Sequence, residues 1–300
     1  MANANQLAFS RPASAPDVPL GHLFWFTVDD RIRPLRDVIQ AITTHGLAHY
    51  GLPEGISPST AARRAAQALP GAAPSKTLIR TLQRTRDTWI QHWIRESVNA
   101  QKTGLDFTPL GEIRWTKGTP WQLHTQNFSA MTSAEKDVWD TLPEYWHTAE
   151  THLTPGDMRI QVQIWIRSAH PIAMQHAGPV HFVPAEGTSL LDDLLAAQEA
   201  LGLQCWKIPL PPEPGVEATI IESLQTQVQA ESNALIRRIQ KAKANGKSLT
   251  DTQEQRLLED FQALRKQAEY YRDCFRTGLE RVEDDLDLTR QQIRSALNPE

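Results

Sequence analysis

Leu257-Leu258-Glu259-Asp260-Phe261-Gln262-Ala263-Leu264-Arg265-Lys266-Gln267-Ala268-Glu269-Tyr270-Tyr271 lies inside a stretch, residues 216–298, with no proline, no tryptophan and two glycines, Gly246 and Gly278. Apolar residues recur through its second half at Leu257, Phe261, Leu264, Ala268, Tyr271, Phe275, Leu279, Val282, Leu286, Ile293 and Leu297. The steps are three or four, with a single longer one spanning Thr289. That is the spacing of one helix face and of a coiled-coil seam. Thr250-Asp251-Thr252-Gln253 reads as a capping box that starts this helix. Upstream, Ile221, Leu224, Val228, Leu235, Ile239 and Ala242 stripe a first leg from Glu217 to Ala244, and Asn245-Gly246 breaks it. At 1.5 Å per residue the legs are roughly 40 and 70 Å long. The longer one outruns its partner. Its last turns, with Leu279, Val282, Leu286, Ile293 and Leu297, are therefore expected to cover their apolar side with another chain or protein, each buried aliphatic contributing roughly 1.5–3 kcal/mol.

Upstream of this arm the composition changes. All nine tryptophans lie between Trp25 and Trp206, and all ten histidines between His22 and His181. Both types stop at the cluster Pro209, Pro211, Pro212, Pro214 and Gly215. Aromatic anchors fill three-dimensional cores, so the expected organisation is a body over 20–212 and an arm over 216–298. Residues 1–19, rich in Asn, Ala, Ser and Pro, read as a disordered lead-in without the apolar core of a signal peptide.

Within the body, Leu23–Val28 is a short apolar run bounded by Gly21 and Asp29-Asp30, the pattern of a buried strand. Pro34 begins a helix to about Leu47, Pro58 a second to Leu69 closed by Pro70-Gly71, and Pro74–Arg86 reads as a third short helix. In residues 88–98, Trp89, Trp93 and Ser97 are spaced four apart, as are Ile90, Ile94 and Val98, which fits a helix face as well as strict alternation; the dominance of β-branched and aromatic residues favours a strand. Lys117-Gly118 turns a hairpin between 106–116 and 120–126. One helix starts at Ser133. Met158–Arg167 alternates well enough for a strand, but the Thr154 cap, the first-turn Pro155 and the acidic Asp157 favour a helix there, and a further helix runs from Thr188 or Ser189 to Leu201 with Gly202 after its end. Strands are expected over 172–174, 180–183 and 205–210. Helices and strands are mixed without a βαβ repeat, so the fold class is α+β: a mixed or antiparallel sheet body with a C-terminal antiparallel α-helical, coiled-coil hairpin.

The net charge of −4 argues against a protein that coats DNA over its whole surface. Cys205 and Cys274 are too few and too far apart for a zinc site, and suggest a reducing compartment. With no apolar run of membrane-spanning length, the default location is cytoplasmic and no membrane association is expected.

Chemistry is sparsely encoded. There is no nucleophile elbow, Walker loop, dinucleotide glycine triplet or EF-hand loop. His45 and His49 are one helical turn apart but lack the glutamate of a zinc-protease helix, and His170, His176 and His181 lack a cysteine nearby; no metal and no cofactor is expected. Asp29 and Asp30 follow an apolar strand, where catalytic carboxylates often sit, but they are also a common turn pair, and no residue is assigned to catalysis; they are the positions a catalytic reading would use. Asp192-Asp193 falls in the first turn of a helix, where the dipole favours it. The clearest hint is basic. Between Ser57 and Lys102 lie Arg63, Arg64, Lys76, Arg80, Arg84, Arg86, Arg95 and Lys102 against Asp87 and Glu96, a local net of +6. Trp89 and Trp93 are interleaved. Cations for phosphates and rings for bases suit nucleic acid; a solvated face gives the same count.

Leu23–Val28, Leu52-Pro53 leading to Ser59-Thr60-Ala61-Ala62-Arg63-Arg64-Ala65, Gly178-Pro179-Val180-His181-Phe182-Val183-Pro184 and the helical tail together resemble an uncharacterised family of prokaryotic and phage-encoded proteins, a domain of unknown function. The family pattern has a second glycine at the place of Pro179 and a tyrosine at that of His181. The resemblance implies an association with mobile elements and carries over no activity or catalytic residue. The functional expectation is a non-catalytic protein that self-associates or binds a partner through the arm. It would be nucleic-acid-linked and serve a mobile element or a defence system. The alternatives are a metal-dependent enzyme acting on nucleic acid and a structural assembly subunit.

Overall fold

Apolar spacing sets the secondary structure along most of the chain. The computed structural model describes residues 19–72, 76–99, 101, 103–174, 179–244, 250–275 and 279–297. In order come β1 (Gly21–Val28), β2 (Arg33–Pro34), α1 (Leu35–Thr44), α2 (Pro58–Ala72), β3 (Thr77–Arg84), β4 (Thr88–Val98), β5 (Leu105–Thr116) and β6 (Gln122–Thr125). Then follow α3 (Ser133–Asp140), α4 (Leu142–Thr151), β7 (His152–Leu153), α5 (Pro155–Arg167), β8 (Ile172–Ala173), β9 (His181–Pro184), α6 (Thr188–Leu201) and β10 (Leu203–Leu210). The chain closes with α7 (Pro214–Ala244), α8 (Asp251–Phe275) and α9 (Glu280–Leu297). Short 3-10 turns occupy Leu47–Tyr50, Phe128–Ala130 and Ala185–Gly187. The class is α+β with antiparallel sheets, as the spacing predicts. The lead-in over residues 1–18 lies outside the described residues.

The division of the chain differs from the expected one. One unit combines the described residues up to Asp29 with Ile42–Gly51 and the chain from Arg159 onward; a second holds Asp30–Ala41 and Leu52–Met158. The proline cluster before α7 therefore joins two parts of one unit. The reason is packing. In the first unit β1 pairs with β10 from Gly21↔Leu210 to Val28↔Leu203 and with β9 from Gly21↔Pro184 to Phe24↔His181, giving the order β10-β1-β9-β8. Ile172 of β8 and Phe182 of β9 share an apolar cluster with Ile220, Leu224 and Val228 of α7 and with Leu264 and Tyr271 of α8. The Gln267 amide donates to the Pro171 carbonyl (2.7 Å), and the Ala173 amide donates to the Gln227 side chain (3.1 Å).

The second leg is also different. The spacing predicts one helix; two are described, α8 ending at Phe275 and α9 beginning at Glu280. Arg272 Nη1 and Glu283 Oε1 are 3.5 Å apart, although eleven residues of straight helix would separate them by roughly 16 Å. Thus α9 runs back along α8. Leu279, Val282, Leu286 and Ile293 all sit in the chain's own cluster, at 5, 1, 8 and 3% exposure. Three-to-four spacing is the same in one long helix and in two that fold together, so the stripe does not encode the reversal.

The second unit is built on the sheet β3-β4-β5-β6. Alternation in β4 turns Trp89, Gln91 and Trp93 inward. There, Ala61, Ala62, Ala65, Ala66 and Leu69 of α2, Trp139 of α3 and Leu142 and Trp146 of α4 complete the core. Gly111 of β5 has to be glycine: a Cβ would lie 2.3 Å from the Trp139 ring, which stacks on Trp93 at 5.8 Å. Residues 77–84, expected as the end of a helix from Pro74, form strand β3 because β4 offers a full ladder from Thr77↔Arg95 to Arg84↔Trp89. Pro74 lies outside the described residues. α2 passes Pro70 and stops two residues later. The helix expected from Ser133 breaks at Thr141, before Pro143.

One ion pair ties this unit together. Glu135, fully buried, accepts from Arg95 Nε at 2.7 Å and pairs also with Arg95 Nη2, while Arg95 Nη2 reaches the Ala130 carbonyl at 2.7 Å. Glu135 is also the third residue of a capping box with Thr132. Replacing Glu135 by alanine leaves the Arg95 guanidinium half-buried without its carboxylate and frays α3. The expected loss is about 3–5 kcal/mol, read from the urea midpoint; a loss under roughly 1 kcal/mol would contradict this role.

Candidate functional site

The sheet of the second unit presents its chemistry on the side away from α2, α3 and α4. Cross-strand register sets Arg80 of β3 opposite His92 of β4, His92 opposite Glu112 of β5, and Glu112 opposite His124 of β6. One ionisable side chain from each strand thus forms a single row. At its centre Glu112 Oε2 lies 3.1 Å from His92 Nε2, and Glu112 Oε1 accepts from Arg114 Nη2 at 2.8 Å and Nε at 3.1 Å. The Gln126 amide nitrogen is 2.9 Å from His92 Nε2 and 3.3 Å from Glu112 Oε2. With Nε2 protonated, His92 donates to the carboxylate and Gln126 turns its NH2 to the same oxygen. Burial alone would raise the Glu112 pKa; hydrogen bonds from His92 and Arg114 outweigh it and hold the carboxyl below its usual range.

The basic residues expected to meet nucleic acid divide into two sets. Arg64 pairs with Asp157 at 2.6 Å, and Lys76 pairs with Glu96. Burial would raise Asp157, but bonds from Arg64 and from the Thr154 backbone and hydroxyl leave it depressed. These two cations, with Arg95, are structural. Arg63 is exposed on α2, and Arg80, Arg84 and Arg86 are exposed along β3 and at the turn after it. Among the described residues no carboxylate pairs with Arg80, Arg84 or Arg86. β3 is the edge strand, and a bulge between Thr81 and Gln83 brings Arg84 opposite Trp89. Thr85 closes the turn onto Thr88, its hydroxyl accepting from the Thr88 amide at 3.0 Å. Lys102 lies outside the described residues. The expected stacking of bases on Trp89 and Trp93 is corrected: at 6 and 0% exposure both rings are core. Alternation sends them to the covered face, opposite the row that carries His92.

Other sequence candidates fare differently. Asp29 ends β1, its amide donating to the Gly202 carbonyl at 3.0 Å, and Asp30 is exposed. Neither belongs to a group of three or more histidine, cysteine, aspartate or glutamate side chains placed to hold a metal, among the described residues. His45 and His49 form no such group, and His176 lies outside the described residues. Leu279, Val282, Leu286 and Ile293, expected as a partner surface, are covered by the same chain; the Leu297 side chain lies outside the described residues. Three of them still floor a groove of about 250 Å³ between α8 and α9, rimmed by Arg265, Arg272 and Arg290. His92, Glu112, Arg114 and Gln126 were not singled out by sequence reasoning. Period-2 alternation in β4 and β5 could have grouped them by face.

The sequence model of a family of unknown function, DUF6744, matches residues 19–299, so the chain belongs to that family. No curated protein and no solved structure shows a significant match. No described helix is long and apolar enough to cross a membrane.

The depressed Glu112 carboxyl has a consequence for stability. Its folded-state pKa lies below its unfolded value. Its contribution is therefore full above the unfolded value and disappears as pH falls through the folded one. The urea midpoint should fall across the acid range, and Glu112→Gln should make that fall shallower; superimposable pH profiles would refute the network.

Proposed function

We propose that this DUF6744 member is a non-catalytic binding protein that holds a polyanion, nucleic acid above all, along the β3 edge of its second unit. The observation that carries this reading is the exposure of Arg80, Arg84 and Arg86 on one edge strand and its turn, with no described carboxylate paired to them. Unpaired guanidinium groups attract phosphate oxygens bidentately and release condensed counterions when they bind. Glu112, two strands in, is taken up by His92 and Arg114, and Asp87, which follows Arg86 in the turn, faces Lys117 Nζ at 4.0 Å, which limits the repulsion these carboxylates add. With Trp89 and Trp93 enclosed, the rings interleaved with these arginines in sequence are withdrawn from bases, which favours contact with the phosphate backbone. Service to a mobile element or a defence system belongs to the same proposal, on the family resemblance.

A second reading keeps the terminal helices as a contact surface. Arg238 Nη1 of α7 lies 2.5 Å from Asp260 Oδ2 of α8, a bridge between the two legs that supports the hairpin reading. Leu258 and Leu288 project from α8 and α9 at 40 and 53% exposure, and the α8–α9 groove offers apolar floor. In this reading the occupant is a second copy of the chain, whose Leu288 fills the groove.

Two measurements test these readings. For the first, binding of a labelled oligonucleotide is followed against salt. The triple variant Arg80→Ala, Arg84→Ala, Arg86→Ala should lose affinity at low salt, and its log–log salt slope should shrink by roughly 2–3 units. An unchanged slope, or no binding by the parent, overturns the polyanion reading. For the second, light scattering should give twice the chain mass for the parent and a single mass for Leu288→Glu; a single mass for both removes the second reading.

A further inference from the structure

In the first unit a cleft of about 120 Å³ opens between the 3-10 turn that carries Glu186 and the segment that follows α5. We propose that this cleft, walled by Tyr50, His170, Tyr270 and Glu186, binds the head of a small organic cation, an alkylated ammonium group. The inference stands apart from the polyanion reading, since it concerns the other unit and the opposite charge.

Three rings line the cleft, and among the described residues that line it the only permanent charge is the negative one of Glu186. His170 and Tyr270 stack with ring centroids 4.6 Å apart, and Tyr50 lines the cleft beside them. The Tyr270 hydroxyl donates to Glu186 Oε2 at 2.7 Å. That bond leaves Oε1 for a ligand and pushes electron density into the phenol ring, which strengthens its attraction for a cation. Burial first, and then the Glu186 bond, push the Tyr270 pKa up, so the phenol stays neutral. No lysine or arginine lines the cleft, and none of the described ones pairs with Glu186. A carboxylate framed by rings is the recognition pattern of ammonium ligands.

The cleft is built at a conformational cost. His170 has φ of 50°, the one non-glycine residue with positive φ among the described residues. A side-chain-bearing residue in that region stores strain, and such residues cluster at ligand sites. Its carbonyl is held by the Tyr271 hydroxyl. Across the cleft, a Cβ on Gly187 would lie 2.5 Å from Val183 Cγ1 and 2.8 Å from Ala169 Cβ. Only glycine therefore lets the Glu186 turn approach the turn that holds His170. The volume admits a head group of a few heavy atoms and excludes a nucleoside.

The test is a calorimetric titration of the full chain with tetramethylammonium, choline and 3,3-dimethylbutan-1-ol, the neutral isostere of choline. Both cations should bind saturably and the neutral isostere at least roughly ten-fold more weakly, the loss of a desolvated cation–π contact. Glu186→Gln, at an exposed side chain, and Tyr270→Leu should each weaken choline by a similar factor, while Glu112→Gln in the other unit should not. Thermal unfolding of each variant with and without ligand separates lost binding from lost folding: a folded variant that choline still stabilises as in the parent overturns the site. So does equal binding of the neutral isostere, or no saturable binding of either cation. Tighter binding of N-acetyl-trimethyllysine amide than of choline would assign the ligand to a modified protein, and the reverse order to a free metabolite; either order upholds the site.

Discussion

The first unit depends on Tyr271. Its ring is fully buried, with Phe182 of β9 at 6.4 Å and Phe275 at 5.8 Å between centroids, and its hydroxyl is committed to the His170 carbonyl. One side chain of α8 thereby fixes the end of the sheet, the strained turn and the helix it belongs to. Burying an aromatic ring contributes about as much as a large aliphatic, roughly 1.5–3 kcal/mol, and its hydroxyl must find an acceptor once water is gone. Because that acceptor is the carbonyl of a residue in the left-handed region, the same contact that stabilises the helix also holds the turn in a conformation it would otherwise leave. The terminal helices are thus part of a core and not an appendage to one.

The second unit solves the same problem with stacked tryptophans and one buried ion pair. Trp93 lies on Trp139, Trp121 on Trp146 at 4.3 Å, and Arg95 on Glu135. Such a core uses up both the rings and the cations that give the sequence its nucleic-acid character. What remains outside is narrower than composition implies: arginines on the edge strand, and a row of ionisable groups whose central carboxylate is already occupied. The acid–base pair His92–Glu112 is bonded into a network with Arg114 and Gln126.

Local signals were legible where one element decides its own state. The β1 run, the alternation of 88–98, the Thr154 cap of α5 and Gly202 after α6, with its φ of 65°, all read correctly because capping and period-2 patterning act within a few residues. Thr77–Arg84 did not. Its Leu, Arg and Gln favour helix on their own, and the ladder from β4 overrides that preference with bonds no local window contains. The doubling back of α9 was invisible for a different reason, since reversing a helix preserves its stripe. Site residues followed the same division. The row across β3–β6 was latent in the alternation, whereas the neutralisation of Arg64 by Asp157 comes from a partner ninety-three residues away. The cleft at His170 requires three distant segments, and no spacing in the sequence joins them.

These two surfaces constrain what recognition the chain can perform. Phosphate contacts from edge-strand arginines fix register and orientation but carry no sequence information. Reading bases requires exposed rings or amides aimed at base edges, and Trp89 and Trp93 are enclosed. The cleft around Glu186 has the opposite charge and the shape selectivity that an arginine edge lacks. Were both proposed ligands to bind, each contact alone would be promiscuous or small, and discrimination would come from their combination.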